Sequence, residues 1–292
     1  MIRTVHVDTG HHMHGGQWQA VYLIERLCDA KLLTPQDSGL FEEARRRGVE
    51  VMPLSFPTLA RLARKADLVH AHDARAHTLA AIAGGPPLVV SRRVAFPVKQ
   101  SLASQWKYSR AALYLAVSRF VAGRLKEAGV AEERVRVVYD GVPLPALTTR
   151  EQGRVVALAA KSMDVPGIPI HLTTNLWQDL STASIFVYVS NLEGLGSGVL
   201  AAMAAGVPVV ACGAGGIQEA VEHEHRGLLV ERDEIARAIQ RLLDDPQAAE
   251  QMGMRGRKRV EELFTVDAMV SATRRAYDEL AKGDRCGKSE ID

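Results

Sequence analysis

A chain of 292 residues, 47% hydrophobic and 24% charged, has the balance of a soluble globular protein and room for two ordinary domains. No run of about 18 apolar residues is present to span a membrane, and the opening MIRTVHVDTG lacks a signal-peptide apolar core. Cys28, Cys212 and Cys286 are scattered and fit a reducing cytoplasm, where the chain is expected to reside. The net charge of +2 hides an asymmetry: residues 1–142 hold 20 Lys and Arg against 13 Asp and Glu, the remainder 16 against 21. Such halves suit two surfaces with different partners, or ordinary scatter over solvated faces.

Residues 1–9 read as a strand with Val5 and Val7 turned inward. The loop from Gly10 to Gly16 carries His11, His12 and His14. Val21, Ile24, Leu27 and Cys28 then predict a helix over 17–30. The loop histidines lack the two-His-plus-carboxylate spacing of a zinc helix, so they read as solvated and no metal is expected. Strands over 31–34, 49–54 and 67–73 alternate with helices over 39–47 and 58–65. Arg45–Arg47 close a helix, where cations complement the dipole. Ligands of open parallel sheets gather beyond the carboxyl ends of strands, which places His72 and Asp73 at a cleft, with His77 packing or capping nearby. The strand over 88–90 runs into Ser91-Arg92-Arg93, two guanidinium groups that suit an anion or surface carboxylates. Between 95 and 114, Phe96, Lys99, Trp106, Lys107, Tyr108 and Arg110 suit either an anionic membrane surface or a plain helix over the sheet. A strand over 113–117, a helix over 118–128 capped by Ser118, a strand over 135–138 and the turn at Tyr139–Pro143 complete a first domain over 1–145.

Pro143, Pro145, Thr148 and Thr149 read as a linker. A second domain is expected over 150–282, with a loose polar tail over 283–292. It opens on a buried strand over 154–159, with Lys161 just beyond, then a strand over 168–172, a short helix over 175–181 and a strand over 184–190. The loop Glu193-Gly194-Leu195-Gly196-Ser197-Gly198 follows at the mouth of a helix. That helix stops at Gly206, where positive φ is wanted, and Pro208 prevents its continuation. The loop glycines let backbone N–H groups approach a ligand, and a helix N-terminus suits phosphate. Glu193 inside such an anion site suits hydroxyls instead. Hydroxyls and phosphate side by side describe a nucleotide sugar. Strands over 207–212 and 227–230 and helices over 234–243, 246–263 and 266–281 finish the chain.

Ser190, Glu193, Gly194 and Gly196, then Ala205-Gly206-Val207-Pro208-Val209-Val210, then Gly215, Gly216 and Glu219 closely resemble the donor-site signature of the retaining family 4 glycosyltransferases. The resemblance implies a GT-B fold, two Rossmann-like α/β domains facing a cleft. The second sheet is expected to be reduced, because the stretch between Gly141 and Ser190 is roughly half as long as in the family. The family's second Glu is replaced by Ala201, its His by Arg93 and its Asn-Gly-Val turn by Asp140-Gly141-Val142. A His-x-His matching His70 and His72 is also typical, and a Gly-Gly loop such as Gly15-Gly16 faces the donor diphosphate there.

The resemblance implies transfer of a sugar from a nucleotide-diphosphate sugar, with retention of configuration, no metal and no other cofactor. Glu193, Lys161, Arg93 and His72 are the expected catalytic residues. Gly15, Gly16, Gly194, Leu195, Gly196, Ser197 and Glu219 are expected to bind the donor, and Arg92 and Asp73 to lie on the acceptor side. The acceptor is expected to be an envelope glycan or lipid-linked precursor, met at the inner face of a membrane by peripheral contact; no nucleic acid is expected. A catalytically silent GT-B-like binding protein is the alternative, favoured by Ala201, Arg93 and the short second domain. An epimerase of similar fold lacks recognisable carboxylates here, and a NAD-linked Rossmann enzyme lacks its Gly-x-Gly-x-x-Gly.

Overall fold

The computed structural model describes residues 2–98, 101–158, 165, 167–213 and 215–286. The chain divides into two compact units, one of Met1–Val138 with Met269–Asp292, the other of Tyr139–Ala268. Residues from Met269 onward therefore group with the first unit, although chain order alone assigns them to the second.

The first unit alternates strand and helix: β1 (Thr4–Val7), α1 (Gly15–Ile24), β2 (Ala30–Thr34), α2 (Gly39–Arg46), β3 (Glu50–Pro53), α3 (Phe56–Ala63), β4 (Leu68–Ala71) and α4 (Ala74–Ala83). It continues with β5 (Leu88–Arg92), α5 (Leu102–Ser109), β6 (Leu113–Ala116), α6 (Arg119–Glu127) and β7 (Val135–Val137). The seven strands are parallel in the order β3-β2-β1-β4-β5-β6-β7. Parallel strands need crossover helices, and those helices cover both sheet faces. All four residues of β1, β4 and β6 are accordingly buried, which corrects the expectation of one inward face on β1: Thr4 and His6 are as enclosed as Val5 and Val7.

The α1 boundary also differs from its sequence pattern. Arg26 and Leu27 donate to the carbonyls of Leu23 and Ile24, so the ladder tightens to i−3 and the helix stops at Ile24. Cys28 lies beyond it, exposed, and is no part of a buried stripe. Ser118 caps α6 as expected, accepting from the Val121 N–H at 3.1 Å.

The second unit holds β8 (Val155–Leu158), β9 (Ile170–Leu172), α7 (Leu176–Leu180), β10 (Ile185–Tyr188), α8 (Ser197–Ala204), β11 (Val209–Ala211), α9 (Ile217–Ala220), β12 (Leu228–Leu229), α10 (Ile235–Asp244) and α11 (Pro246–Leu263). Its five strands are parallel in the order β12-β11-β10-β8-β9, the smaller sheet of the two. Val155, Ile185, Val187 and Val210 pack against Ile235, Ile239, Leu242 and Met252 of the last two helices to form its core. Burying one such side chain contributes roughly 1.5–3 kcal/mol. Gly141 sits where the chain crosses itself. A Cβ there would come within 2.5 Å of the Thr265 carbonyl oxygen, and the Val142 N–H donates to Phe264 at 2.8 Å. The final helix, α12 (Val266–Cys286), carries the chain back to the first unit, where Met269, Val270, Ala276 and Tyr277 are buried.

Candidate active site

Strand order reverses in each sheet, between β1 and β4 in the first and between β8 and β10 in the second. Crevices at such switch points, beyond the carboxyl ends of the strands, are where open α/β sheets bind ligands.

In the first unit Asp8 follows β1, His72 and Asp73 follow β4, and Arg93 follows β5. Asp8 is fully buried and shapes the loop to α1: it accepts from Gly10 N–H at 2.8 Å and from Gln17 Nε2 at 3.1 Å. Burial pushes its carboxyl above the ordinary range. Gly10 is needed there, since a Cβ would meet Gln17 Nε2 at 2.7 Å. The loop delivers Gly15 and Gly16 as the first residues of α1 itself, two positions earlier than the sequence pattern places the helix. Their N–H groups are thus among the orphan donors of the first turn. The Arg93 Cδ lies 3.9 Å from where a Gly16 Cβ would be, and Arg93 Nη1 makes a long hydrogen bond, 3.4 Å, to His72 Nδ1. Gly16, Arg93 and His72 are therefore brought together.

His72 continues inward to a buried polar layer that the sequence reading missed. His6 Nδ1 lies 2.9 Å from His72 Nε2, and His6 Nε2 lies 3.0 Å from Thr4 Oγ1. His70 bridges the Tyr277 hydroxyl at 2.6 Å and the Ser91 hydroxyl at 2.8 Å. Burial holds all three imidazoles below their ordinary pKa, His6 down to about 3, so they are neutral. The visible signal was period two: Thr4 and His6 alternate on β1, and strand pairing sets His6 opposite His70.

Asp73 and Arg92 have other work. Asp73 caps α4, accepting from the Arg75 and Ala76 N–H groups at 2.8 and 2.9 Å, and takes the Thr9 hydroxyl at 2.8 Å. Arg92 donates to the Phe96 carbonyl at 2.6 Å and leaves Arg93: its charge is felt by His77, Lys107 and Tyr108. The two adjacent arginines do not form one anion clamp. His77 packs edge-on against the stacked Tyr108 and Tyr114 rings and donates from Nε2 to the Lys107 carbonyl. His11 and His12 are exposed loop residues, His11 lying 3.4 Å from Asp37.

In the second unit Glu193 follows β10. Its Oε1 accepts from the Tyr188 hydroxyl at 2.7 Å and the Ser190 hydroxyl at 2.9 Å. Its backbone is clasped by the Gly215-Gly216 turn: Gly216 N–H donates to the Glu193 carbonyl at 2.9 Å, and a Cβ on Gly215 would come within 2.3 Å of that oxygen. Gly194, Leu195 and Gly196 are buried, and Gly196 takes φ 88°, which turns the chain into α8. Leu195 is 2% exposed, and its side chain anchors the loop. Ser197 opens α8, half-buried. Glu219 receives the Tyr139 hydroxyl at 3.0 Å. Ala201 is buried within α8 and offers no carboxylate. Lys161 lies outside the described residues. A cavity of about 580 Å³ lies at the other end of this sheet, lined by Arg150, Gly153, Ser184, Ile185 and Pro208, away from Glu193.

Two family models match. Glycosyltransferase Family 4 matches residues 19–145, and Glycosyl transferases group 1 matches residues 170–259. The chain is 33% identical over 118 residues to N-acetyl-alpha-D-glucosaminyl L-malate synthase of Bacillus anthracis, covering 39% of this chain and 31% of that protein. It is 40% identical over 84 residues to a GDP-mannose-dependent alpha-(1-6)-phosphatidylinositol monomannoside mannosyltransferase of Mycobacterium tuberculosis, covering 28% of this chain and 22% of that protein. The matched stretches thus span under a third of these curated relatives. Among solved structures, Anabaena HepE in complex with UDP-glucose superposes with a TM-score of 0.85 at 16% identity, over 96% of this chain and all of that one. A glycosyltransferase from Rickettsia africae superposes with a TM-score of 0.77 at 14% identity, over 96% of this chain and 99% of that one.

Proposed function

The chain belongs to the family 4 glycosyltransferases, glycosyl transferases group 1, of GT-B fold, and from that premise we propose that it moves a sugar from a nucleotide-diphosphate sugar to an envelope-glycan or lipid-linked acceptor, with retention of configuration. The observation that carries this reading is Glu193, a carboxylate held by two hydroxyls directly before a glycine turn that opens a helix. The carboxylate suits sugar hydroxyls and the helix N-terminus suits phosphate.

Breaking the C1–O bond to a diphosphate creates oxocarbenium character at C1 and negative charge on the leaving phosphate. Stabilising that charge is the main task, and neither metal nor other cofactor is invoked. Its proposed partners are the N–H groups of Gly15 and Gly16, those of Gly196 and Ser197, and the cations Arg93 and Lys161. A helix end contributes about 0.3–1 kcal/mol when exposed and up to ~2 when partly buried, so at least one cation is required. Glu219 belongs to the donor side; Arg92 and Asp73 are assigned to the acceptor side, with Asp73 acting through the loop it holds.

Peripheral contact with the inner face of a membrane is part of the proposal. Phe96, Leu102 and Trp106 are exposed near Lys107 and Arg110, and α5 buries no residue. Among the described residues no helix is long and apolar enough to cross a membrane. A second reading, a catalytically silent binding protein, is favoured by Ala201. A thermal-shift screen against nucleoside diphosphates and their sugars, followed by mass spectrometry of products from labelled donors, tests both. Transfer supports the proposal, binding without turnover supports the silent reading, and an altered free sugar supports an epimerase.

A further inference from the structure

The buried histidines raise a question that phosphate binding leaves open. Their ligating atoms lie within 4.8 Å of one another, close enough to suggest a metal site. The geometry argues against one. Two nitrogens at 2.0–2.1 Å from a tetrahedral zinc stand about 3.3 Å apart, whereas His6 Nδ1 and His72 Nε2 are at 2.9 Å, a hydrogen-bond distance. A guanidinium also faces the far side of His72.

The ends of the chain of contacts decide how the protons lie. At one end Arg93 Nη1 can only donate, so His72 Nδ1 must carry a lone pair. At the other end the Asp29 carbonyl can only accept, so the Thr4 hydroxyl, 3.4 Å away, gives its proton there. Two contacts lie between two ends of opposite, fixed character. Neutral imidazole has one donor and one acceptor nitrogen, so every bond must run the same way. His72 Nε2–H donates to His6 Nδ1, and His6 Nε2–H donates to Thr4 Oγ1.

We propose that Thr4, His6 and His72 form a one-way hydrogen-bond relay that fixes the Nδ1 lone pair of His72 toward Arg93 and so aims that guanidinium. His72 is then an acceptor for Arg93 and no proton donor to the reaction. His6, which touches neither substrate nor Arg93, is a positioning residue. The inference rests on the reading of Arg93 as a partner of the leaving phosphate.

The test starts with histidine-labelled protein in nitrogen NMR, without substrate. His6 and His72 should both show the Nε2–H tautomer at neutral pH. An Nδ1–H tautomer or a charged ring at either position overturns the relay, whether or not the protein transfers sugar. The expected tautomers in a protein that binds no nucleotide would sink the function proposed above and leave the relay standing. Two substitutions then separate aim from packing. His6→Asn keeps an acceptor near the Nδ1 position and should keep kcat/KM for the donor close to wild type. His6→Leu fills the site without an acceptor and should lower it about tenfold to a hundredfold, with the His72 tautomer lost. Equal activity in the two variants, both folded, overturns the positioning role.

Discussion

The Tyr188 hydroxyl donates to Glu193 Oε1 at 2.7 Å from the last residue of β10, so a half-buried strand end orients the carboxylate. Burial, reinforced by that carboxylate, pushes the Tyr188 phenol upward and keeps it a donor. Hydrogen bonds to charged groups contribute about 1.5–3 kcal/mol. Glu193→Ala should therefore lower kcat/KM for the donor about tenfold to a hundredfold. Tyr188→Phe, which keeps the ring stacked near Phe186, should lower it less, because Ser190 still holds the same oxygen. Steady-state kinetics on variants with unchanged circular dichroism measure this; full activity in Glu193→Ala removes the residue from the site.

Arg92 and Arg93 are neighbours in sequence and separate in space, which splits their expected effects. Arg93 reaches His72 and the start of α1, while Arg92 holds the Phe96 carbonyl. Arg93→Ala should weaken the donor, raising its KM and lowering kcat about tenfold or more. Arg92→Ala should leave nucleotide binding alone and raise KM for the acceptor. Identical donor defects in both variants would contradict the separation.

Much of this architecture was legible because fully covered parallel strands read as apolar runs and helices carry their own punctuation. For α11, Asp245 caps the Ala248 N–H at 3.0 Å and Pro246 occupies the first turn, so both ends fell where the pattern put them. The α1 end was not legible, since Leu27 and Cys28 continue the apolar spacing and only the switch to i−3 bonds stops the helix. Glu193 and its glycines were readable as a ligand loop. The phenols that hold the two carboxylates were hidden, Tyr188 on Glu193 and Tyr139 on Glu219, because they look like ordinary strand and turn aromatics. The separation of Arg92 and Arg93 was not legible, because β5 ends at Arg92 and Arg93 lies beyond it, where strand alternation no longer applies.

Four buried or largely buried histidines make stability depend on pH in a definite sense. His70 and His72 are held well below their ordinary pKa by burial, His6 at about 3 and His77 at about 4. The unfolded chain takes up protons near 6.5 and the folded one does not, so stability is full above about 6.5 and falls as pH falls below it. Each histidine costs about 2 kcal/mol between pH 7 and 5. Asp8, raised by burial, works in the opposite sense, one group against four. Denaturant unfolding at pH 7, 6 and 5 should show this loss. His77→Gln, which keeps a donor for the Lys107 carbonyl, should flatten it by about one group's share. A flat profile in the wild type would mean the rings are charged or exposed.

Two helical glycines should respond to alanine with opposite sign. Gly123 lies inside α6 with nothing within 4 Å of an added Cβ, so Gly123→Ala gains helix propensity and should stabilise by about 0.5–1 kcal/mol. Gly253 lies inside α11 against the turn that ends α8. A Cβ there would come within 2.1 Å of the Gly206 carbonyl oxygen and 2.9 Å of the Pro208 nitrogen. That turn cannot easily give way: Gly206 sits at φ 72° with its N–H bonded to Met203 at 2.8 Å, and Pro208 leads directly into β11. Overpacking of this kind costs about 1–3 kcal/mol or more, which outweighs the roughly 1 kcal/mol of propensity gained. Gly253→Ala should therefore be less stable than wild type by at least about 1 kcal/mol in denaturant titration. Because α8 carries the Ser197 end of the candidate donor site, nucleotide affinity should fall with it. Equal or greater stability for Gly253→Ala would show that α11 can move away from Gly206, and that the close contact fixes neither helix.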